Sequence, residues 1–436
     1  MANIIINFNK SVGKIKPIHG VGQPPLLGAT NTSMFGYLTE AGIPYSRLHD
    51  VAGPYAANRY VDIPNIFRDF DADENLPQSY DFAFTDVLIK GLVDAGVEPF
   101  FRLGVTIEND HDIKAYRIFP PKDLAKWARI CEHIIRHYTE GWADGFRYDI
   151  KYWEIWNEPD DTADIKYNPM WKGSKEDFFE LYEITAKHLK KCFPNIKVGG
   201  YGSCGFYEIA GGLCSATDHE IDTQYFIDFF IEFMERAKDR NIPFDFFSWH
   251  SYDESVSNNI KYANFVREKL DEYGFKNTES ICNEWNIEYE KRGTLRHASI
   301  TAAMLLAFQN SPLDSSMFYD ARCAAGIYGS MFHCLDKVPY PTYYAFTAFN
   351  RLYKLGQQID VKCDDESLYT AGAADGKWAC VVVANPENEE KEFKIEDSLK
   401  PHRFVVTDRF GVDRECYNLD KIPKESIVSL YFEETD

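Results

Sequence analysis

Tyr152-Trp153-Glu154-Ile155-Trp156-Asn157-Glu158-Pro159 reads as a buried strand with an abrupt polar tip. Apolar and aromatic residues run up to Trp156, and Asn157, Glu158 and Pro159 follow at once. Proline has no N–H to give to a sheet ladder, so pairing is expected to stop at Pro159. An amide and a carboxylate then stand at the carboxyl end of a strand, where parallel α/β barrels hold their active sites. A lone glutamate after a strand is ordinarily a solvated cap, because exposed Glu is the common case. What lifts Glu158 above that is a second carboxylate further along the chain.

Outward from this stretch (strand 148–156), strand and helix patterns alternate in both directions. Ahead of it come strand Ile18–Gly22, helix 33–41, strand 43–49, helix 81–95 ending at Gly96, strand Val97–Gly104, and a helix from Pro120-Pro121 to Tyr138. Proline suits a first helical turn and glycine the position past the last one. Behind it, the capping-box pattern Ser174–Asp177 opens a helix to Cys192. Strand Ile196–Gly199, helix 222–240, strand Phe244–Tyr252, helix 255–273, strand Glu279–Trp285, helix 294–309, strand Ser315–Tyr319 and helix 342–355 follow. Eight strands and eight helices in strict alternation imply a parallel sheet. The predicted fold is an α/β (β/α)8 TIM barrel over residues 14–356. Residues 357–436 change to short β-type runs without helix patterns, as in Trp378–Val383, Phe404–Val406 and Ile427–Phe432. They predict a small C-terminal β-sandwich, which the strand in residues 1–13 is expected to join.

A doubly wound open sheet alternates too, and Gly200-Tyr201-Gly202-Ser203-Cys204-Gly205 fits the dinucleotide fingerprint. That combination would make the chain an NAD-dependent oxidoreductase. The fingerprint belongs in a first β-α unit and opens a helix. Here it follows the fifth predicted strand and runs on into Gly211-Gly212.

Composition narrows the partners. A formal net charge of −21 argues against nucleic acid and anionic membranes, which call for basic surfaces. Aromatics at 15% suit sugar faces as well as cores. The ten cysteines form no Cys-x-x-Cys pair and sit mostly in apolar contexts, which suggests reduced thiols and a cytoplasmic protein. The start of the chain has no basic-then-apolar leader pattern. No Walker sequence and no His-Glu-x-x-His is present, so no cofactor and no metal is expected. The acidic run Asp69–Glu74 does not follow a calcium-loop spacing and reads as a solvated loop.

The second carboxylate is Glu284, in Ile281-Cys282-Asn283-Glu284-Trp285-Asn286, again at the tip of an apolar strand. Glu158 ends the fourth predicted barrel strand and Glu284 the seventh. In a closed parallel barrel both tips open on one face. Two carboxylates across a pocket suit glycoside hydrolysis: one protonates the leaving oxygen, the other attacks the anomeric carbon or activates water. Close together, they also push each other's proton affinities apart.

Trp156-Asn157-Glu158-Pro159, Glu284-Trp285-Asn286 and Ser248-Trp249-His250-Ser251-Tyr252 resemble the clan of retaining glycosidases whose acid/base and nucleophile end strands four and seven. Tyr45-Ser46-Arg47-Leu48-His49, Val198-Gly199-Gly200 and Trp171 ahead of Phe178–Tyr182 look most like glycoside hydrolase family 39, the β-xylosidase and α-L-iduronidase family. The resemblance covers nearly the whole chain. It implies Glu158 as acid/base, Glu284 as nucleophile, and Asn157 on the sugar hydroxyl beside the anomeric carbon. It further implies His250 and Tyr252 beside the nucleophile and Arg47 and His49 in the pocket floor; Trp285 is a candidate substrate contact, although Trp153, Trp249 and Trp285 all suit a core as well, and at most two of them are expected to touch sugar. An Arg47 cation near Glu284 would favour the ionised nucleophile. The chain departs from the family at Asn283, where Thr or Ser is usual, and at Arg102, where β-xylosidases usually carry Glu. Arg102 is therefore a candidate sugar contact, unless it pairs with an acid such as Glu108. The expected activity is a retaining, exo-acting, β-xylosidase-like glycosidase on a glycoside or oligosaccharide. A non-catalytic sugar-binding barrel is the remaining alternative, and would be expected to lack one carboxylate.

Overall fold

The computed structural model describes residues 1–25, 33–49, 61–106, 118–212, 222–287, 291–322, 330–333, 336–396 and 400–433. The chain opens with β1 (Ala2–Lys14) and enters a barrel through β2 (Gly20–Gly22), α1 (Phe35–Glu40) and β3 (Tyr45–Leu48). It continues with α2 (Ile63–Ile66), α3 (Ala83–Asp94), β4 (Glu98–Leu103), α4 (Leu124–Thr139), β5 (Tyr152–Ile155) and α5 (Lys175–Cys192). Then come β6 (Lys197–Ser203), α6 (Thr223–Asp239), β7 (Phe246–Ser251), α7 (Val256–Glu272), β8 (Glu279–Trp285), α8 (Leu295–Gln309), β9 (Ser315–Phe318) and α9 (Tyr343–Leu355). Strands β2 to β9 pair in chain order, all parallel, and β9 returns to β2 to close the barrel. Closure rules out the doubly wound sheet, and with it the structural basis of the NAD-dependent alternative. The G-x-G-x-x-G run starts in the upper half of β6, a barrel wall, and its last two residues, Cys204 and Gly205, follow the strand.

Local signals explain the helix ends. Ser174 and Asp177 form the reciprocal capping box at the start of α5. Gly96 takes φ +77° just past α3, a conformation that costs other residues strain. Helix α2 was not expected, because four residues are too few to show a period. Strand β5 is shorter than 148–156: its pairing ends before Trp156, which turns to φ +72°.

The barrel interior is built in layers. Tyr45, Phe100, Tyr152, Phe246, Ile281 and Met317 form an apolar plug near the amino-terminal end. Two residues further along five of these strands stand Arg47, Arg102, Glu154, Ser248 and Asn283, all buried. Side chains alternate along a strand, so this polar layer lies above the plug and below the mouth. The intervening residues, such as Phe101, Trp153, Phe247 and Trp249, pack outward into the core shared with the helices. Burying so many polar groups is tolerable only where they satisfy one another.

The rest of the chain is a curled, mostly antiparallel sheet. Its strands are β10 (Gln357–Cys363), β11 (Tyr369–Ala374), β12 (Trp378–Asn385), β13 (Lys391–Ile395), β14 (Arg403–Asp408), β15 (Gly411–Cys416), β16 (Lys421–Ile422) and β17 (Ser426–Glu433). β1 joins it, antiparallel to β10 and parallel to β13. β12 is apolar throughout because both its faces are covered. Val381 and Val383 face the core of this sheet, while Cys380, Val382 and Ala384 join the core of the barrel. The seven cysteines among the described residues are free thiols. Among the described residues, no helix is long and apolar enough to cross a membrane.

Candidate active site

Two strand tips and two bulges shape the mouth. At the end of β5, Trp156 and Glu158 take φ +72° and +48°, unusual for residues with side chains. The tip is held there by β6: the Glu158 N–H donates to the carbonyls of Tyr201 (3.1 Å) and Gly202 (3.0 Å). Ser203 Oγ donates to the buried Asp160 carboxylate at 2.6 Å, adding a second tie. On β8 the register against β7 slips between Cys282 and Glu284, leaving Asn283 as an extra residue. A bulge of this kind re-aims the side chain that follows it. Here Asn283 and Glu284 both turn inward. Asn283 Nδ2 donates to Glu154 at 2.6 Å and Glu284 accepts from Arg47 at 2.5 Å.

A second slip lies at Gly202, between Tyr201 and Ser203. Gly202 has φ +63°, and a Cβ there would stand 3.1 Å from Arg47 Nη2, Asn157 Oδ1 and His250 Nε2 alike. Only glycine leaves those three groups their positions.

The polar groups converge on Arg47. This guanidinium is 1% exposed, and all three of its nitrogens are used. Nε donates to Glu154 (2.7 Å), Nη1 to Glu284 (2.5 Å) and Nη2 to Asn157 Oδ1 (2.5 Å). With its Oδ1 engaged, Asn157 keeps its buried Nδ2 as a donor without a hydrogen-bond acceptor in the geometry of the described residues. Tyr252 donates its hydroxyl to the other Glu284 oxygen at 2.7 Å. His250 Nδ1 lies 2.6 Å from Glu158 Oε1 and 3.7 Å from Glu284 Oε2. One carboxyl oxygen of Glu158, one of Glu284 and a ring nitrogen of His250 all fall within 4.8 Å of one another. The carboxyls of retaining glycosidases stand about 5–5.5 Å apart, and those of inverting enzymes about 6.5–9.5 Å. Two carboxyl groups that approach so closely can act together on one glycosidic bond.

The electrostatics separate the two carboxyls. Burial, helped by the nearby Asp161 charge, pushes Glu158 up to about 8. It therefore holds its proton near neutrality, as a general acid needs. Glu284 is raised by burial and by Glu158, but His250, Arg47 and the Tyr252 hydroxyl pull it back towards ionisation. Burial drops His250 to about 4, so its ring is neutral. His49 is lowered by burial and by the cations of Arg102 and Arg47, and is neutral as well. Asp160 rises to about 7, chiefly through burial.

The structure thus brings together Glu158, Glu284, Asn157, Arg47, His250 and Tyr252, with His49 among the cations of the floor. Two of the residues named from sequence lie elsewhere. Trp285 faces outward: its Nε1 donates to Ser316 Oγ at 3.2 Å, and its ring packs on Phe308 and Phe318. The bulge that turns Glu284 in turns Trp285 out. Arg102 is fully buried and bonds Asp62 Oδ1 at 2.6 Å. Asp62 also accepts from the backbone N–H and hydroxyl of Thr106. Arg102 is therefore a member of the polar layer below the mouth, paired with an acid. Glu108 lies outside the described residues. Glu154, Ser248, Asp160 and Gly202 were not singled out from sequence. Glu154 was visible as a lone carboxylate inside an aromatic strand, and a buried charge there demands a partner.

The chain is similar to known proteins. The family model for glycosyl hydrolases family 39 matches residues 58–367. A β-xylosidase of Geobacillus stearothermophilus is 23% identical over 350 residues, which cover 70% of this chain and 63% of that protein. The chain thus spans under two thirds of that relative's length. A β-xylosidase of Caldicellulosiruptor saccharolyticus is 25% identical over 84% of this chain and 74% of its own. Among solved structures, a glucosidase from Croceicoccus marinus superposes with a TM-score of 0.78 at 19% identity, covering 100% of both chains. A monomeric β-xylosidase from Caulobacter crescentus gives 0.66 at 16% identity, again over 100% of both. These two likenesses concern the fold. Because the family model spans most of the barrel and takes in both strand-tip glutamates, the chain belongs to glycosyl hydrolases family 39.

Proposed function

We propose that this chain is a retaining glycoside hydrolase that removes a terminal sugar by double displacement, with Glu284 as nucleophile and Glu158 as acid/base. The observation that carries this reading is the approach of the two carboxyl groups, with oxygens within 4.8 Å of each other. So close an approach suits direct attack on the anomeric carbon. In the first step a Glu284 oxygen bonds to the anomeric carbon while the glycosidic C–O bond breaks. The leaving oxygen takes the proton of Glu158. In the second, Glu158, now ionised, takes a proton from water, which attacks the same carbon and frees Glu284. Asn157 offers its spare N–H to the neighbouring sugar hydroxyl. The exo action and a xylose-like substrate rest on the likeness to the two β-xylosidases.

The test is a screen of aryl glycosides followed by Glu284→Ala. The variant is expected to lose turnover by several orders of magnitude. Azide is expected to restore it, giving a glycosyl azide of inverted configuration. Near wild-type activity in Glu284→Ala removes that residue from the mechanism. Sugar binding without any hydrolysis by the wild-type protein would instead favour the non-catalytic barrel.

A further inference from the structure

We infer that Glu154 is a positioning residue that serves as the standing counter-ion of Arg47 while Glu284 is esterified to the sugar. The inference rests on the retaining mechanism proposed above.

Glu154 is fully buried and reaches no solvent. Its oxygens accept from three donors: Arg47 Nε at 2.7 Å, Ser248 Oγ at 2.6 Å and Asn283 Nδ2 at 2.6 Å. Three donors around one carboxyl describe an acceptor-only, ionised group. It stands two residues above the plug residue Tyr152, on the strand that carries the acid/base. Its donors come from β3, β7 and β8, so it ties the strand of the acid/base to that of the nucleophile.

The charge count across the reaction shows what this does. In the free enzyme Arg47 sits between two carboxylates, Glu154 and Glu284. When a Glu284 oxygen bonds to the anomeric carbon, the nucleophile becomes a neutral ester. The leaving group departs with the proton of Glu158. Arg47 remains a cation, and it is 1% exposed. A buried guanidinium stripped of its partner is severely destabilised. Glu154 prevents that, because its bonds to Arg47 do not involve the reacting carboxyl. It also shares the guanidinium, so Arg47 does not hold Glu284 too firmly in its unreacted state. Glycosylation consumes one of the two anions flanking Arg47, and deglycosylation restores it. Removing Glu154 therefore penalises the first half-reaction and not the second.

The experiment compares wild type, Glu154→Gln, Arg47→Met and the double variant Arg47→Met/Glu154→Gln. The probe is 2,4-dinitrophenyl 2-deoxy-2-fluoro-β-D-xyloside, or the same derivative of whichever sugar wild type hydrolyses. Inactivation reports glycosylation and recovery of activity reports deglycosylation, with the labelled residue read by peptide mass spectrometry. Glu154→Gln is expected to slow inactivation on the order of 100-fold, with recovery unchanged or faster. The acidic limb of its kcat/KM profile is expected to move to lower pH, since Glu284 alone then holds Arg47. In the double variant the loss of Glu154 is expected to add nothing to the loss of Arg47 in the inactivation rate, and the split between the two half-reactions is expected to disappear. If Glu154→Gln does not fold, the double variant, which leaves no lone buried cation, still decides the matter: folding there supports the pairing, and failure overturns it. Equal slowing of both half-reactions with an unmoved acidic limb overturns the inference alone. A wild-type enzyme that hydrolyses its glycoside but is never labelled at Glu284 overturns the retaining mechanism, and this inference with it.

Discussion

His250 Nδ1 and Glu158 Oε1 stand 2.6 Å apart at the barrel mouth, a neutral ring against a carboxyl group that keeps its proton. Protonated Glu158 donates to Nδ1, and the ring carries its own hydrogen on Nε2, towards Gly202. The contact fixes the carboxyl of Glu158 against the ring at the barrel mouth.

The activity of wild type is expected to fall at alkaline pH as Glu158 loses its proton, with the limb of kcat/KM near 8. The sign follows from the role: an acid with a raised pKa is competent below that value and incompetent above it. At low pH activity falls as Glu284, itself raised by burial, takes up a proton. Glu158→Ala is expected to lose the alkaline limb, retain glycosylation by dinitrophenyl glycosides, and lose alkyl glycosides by about 10²–10⁴-fold. Equal losses on both leaving-group classes would remove Glu158 from the role of acid.

Gly202→Ala places a methyl group 3.1 Å from Arg47, Asn157 and His250 at a backbone φ of +63°. The strain in the backbone is worth about 1–2 kcal/mol, which a barrel of this size can absorb. Displacing three groups of the site, even by a few tenths of an ångström, is the larger effect, because catalysis depends on their alignment. The variant is expected to fold, with a modest drop in melting temperature, and to lose roughly 10-fold in kcat/KM. Unchanged kinetics would show that the mouth tolerates more movement than its geometry implies.

Arg102→Gln removes the buried cation that faces the Asp62 carboxylate. Breaking a buried pair costs about 3–5 kcal/mol, so a lowered melting temperature is expected. Because Arg102 lies in the layer below the mouth, kcat/KM is expected to change by the same factor on uronide and neutral aryl glycosides. A selective loss on one sugar class would return Arg102 to the substrate.

Much of this was open to reading along the chain. Alternation of strand and helix patterns implied the parallel barrel, because each crossover helix brings the chain back to the same end. Glu158 and Glu284 stood out because a carboxylate at the end of an apolar strand has one predictable location in such a barrel. The plug-and-polar-layer order was also present, with Tyr152 and Glu154, Phe246 and Ser248, Ile281 and Asn283 each two residues apart.

The side chains of β8 show where the sequence stopped being sufficient. Strict alternation along Ile281-Cys282-Asn283-Glu284-Trp285 puts Ile281, Asn283 and Trp285 on the inner face and Glu284 on the outer one. The bulge after Cys282 reverses the last two, so Glu284 enters the mouth and Trp285 joins the core. That bulge is set by pairing with β7, and by Asn283 reaching Glu154 on β5, 129 residues away in the chain. The Arg102–Asp62 pair and the three-way grip of Arg47 are likewise matters of which strands meet. Chemistry-bearing residue types and strand periodicity are local properties, which a sequence determines by itself. Which polar group neutralises which, and which way a bulged strand aims its side chains, is decided only when distant strands share one buried layer.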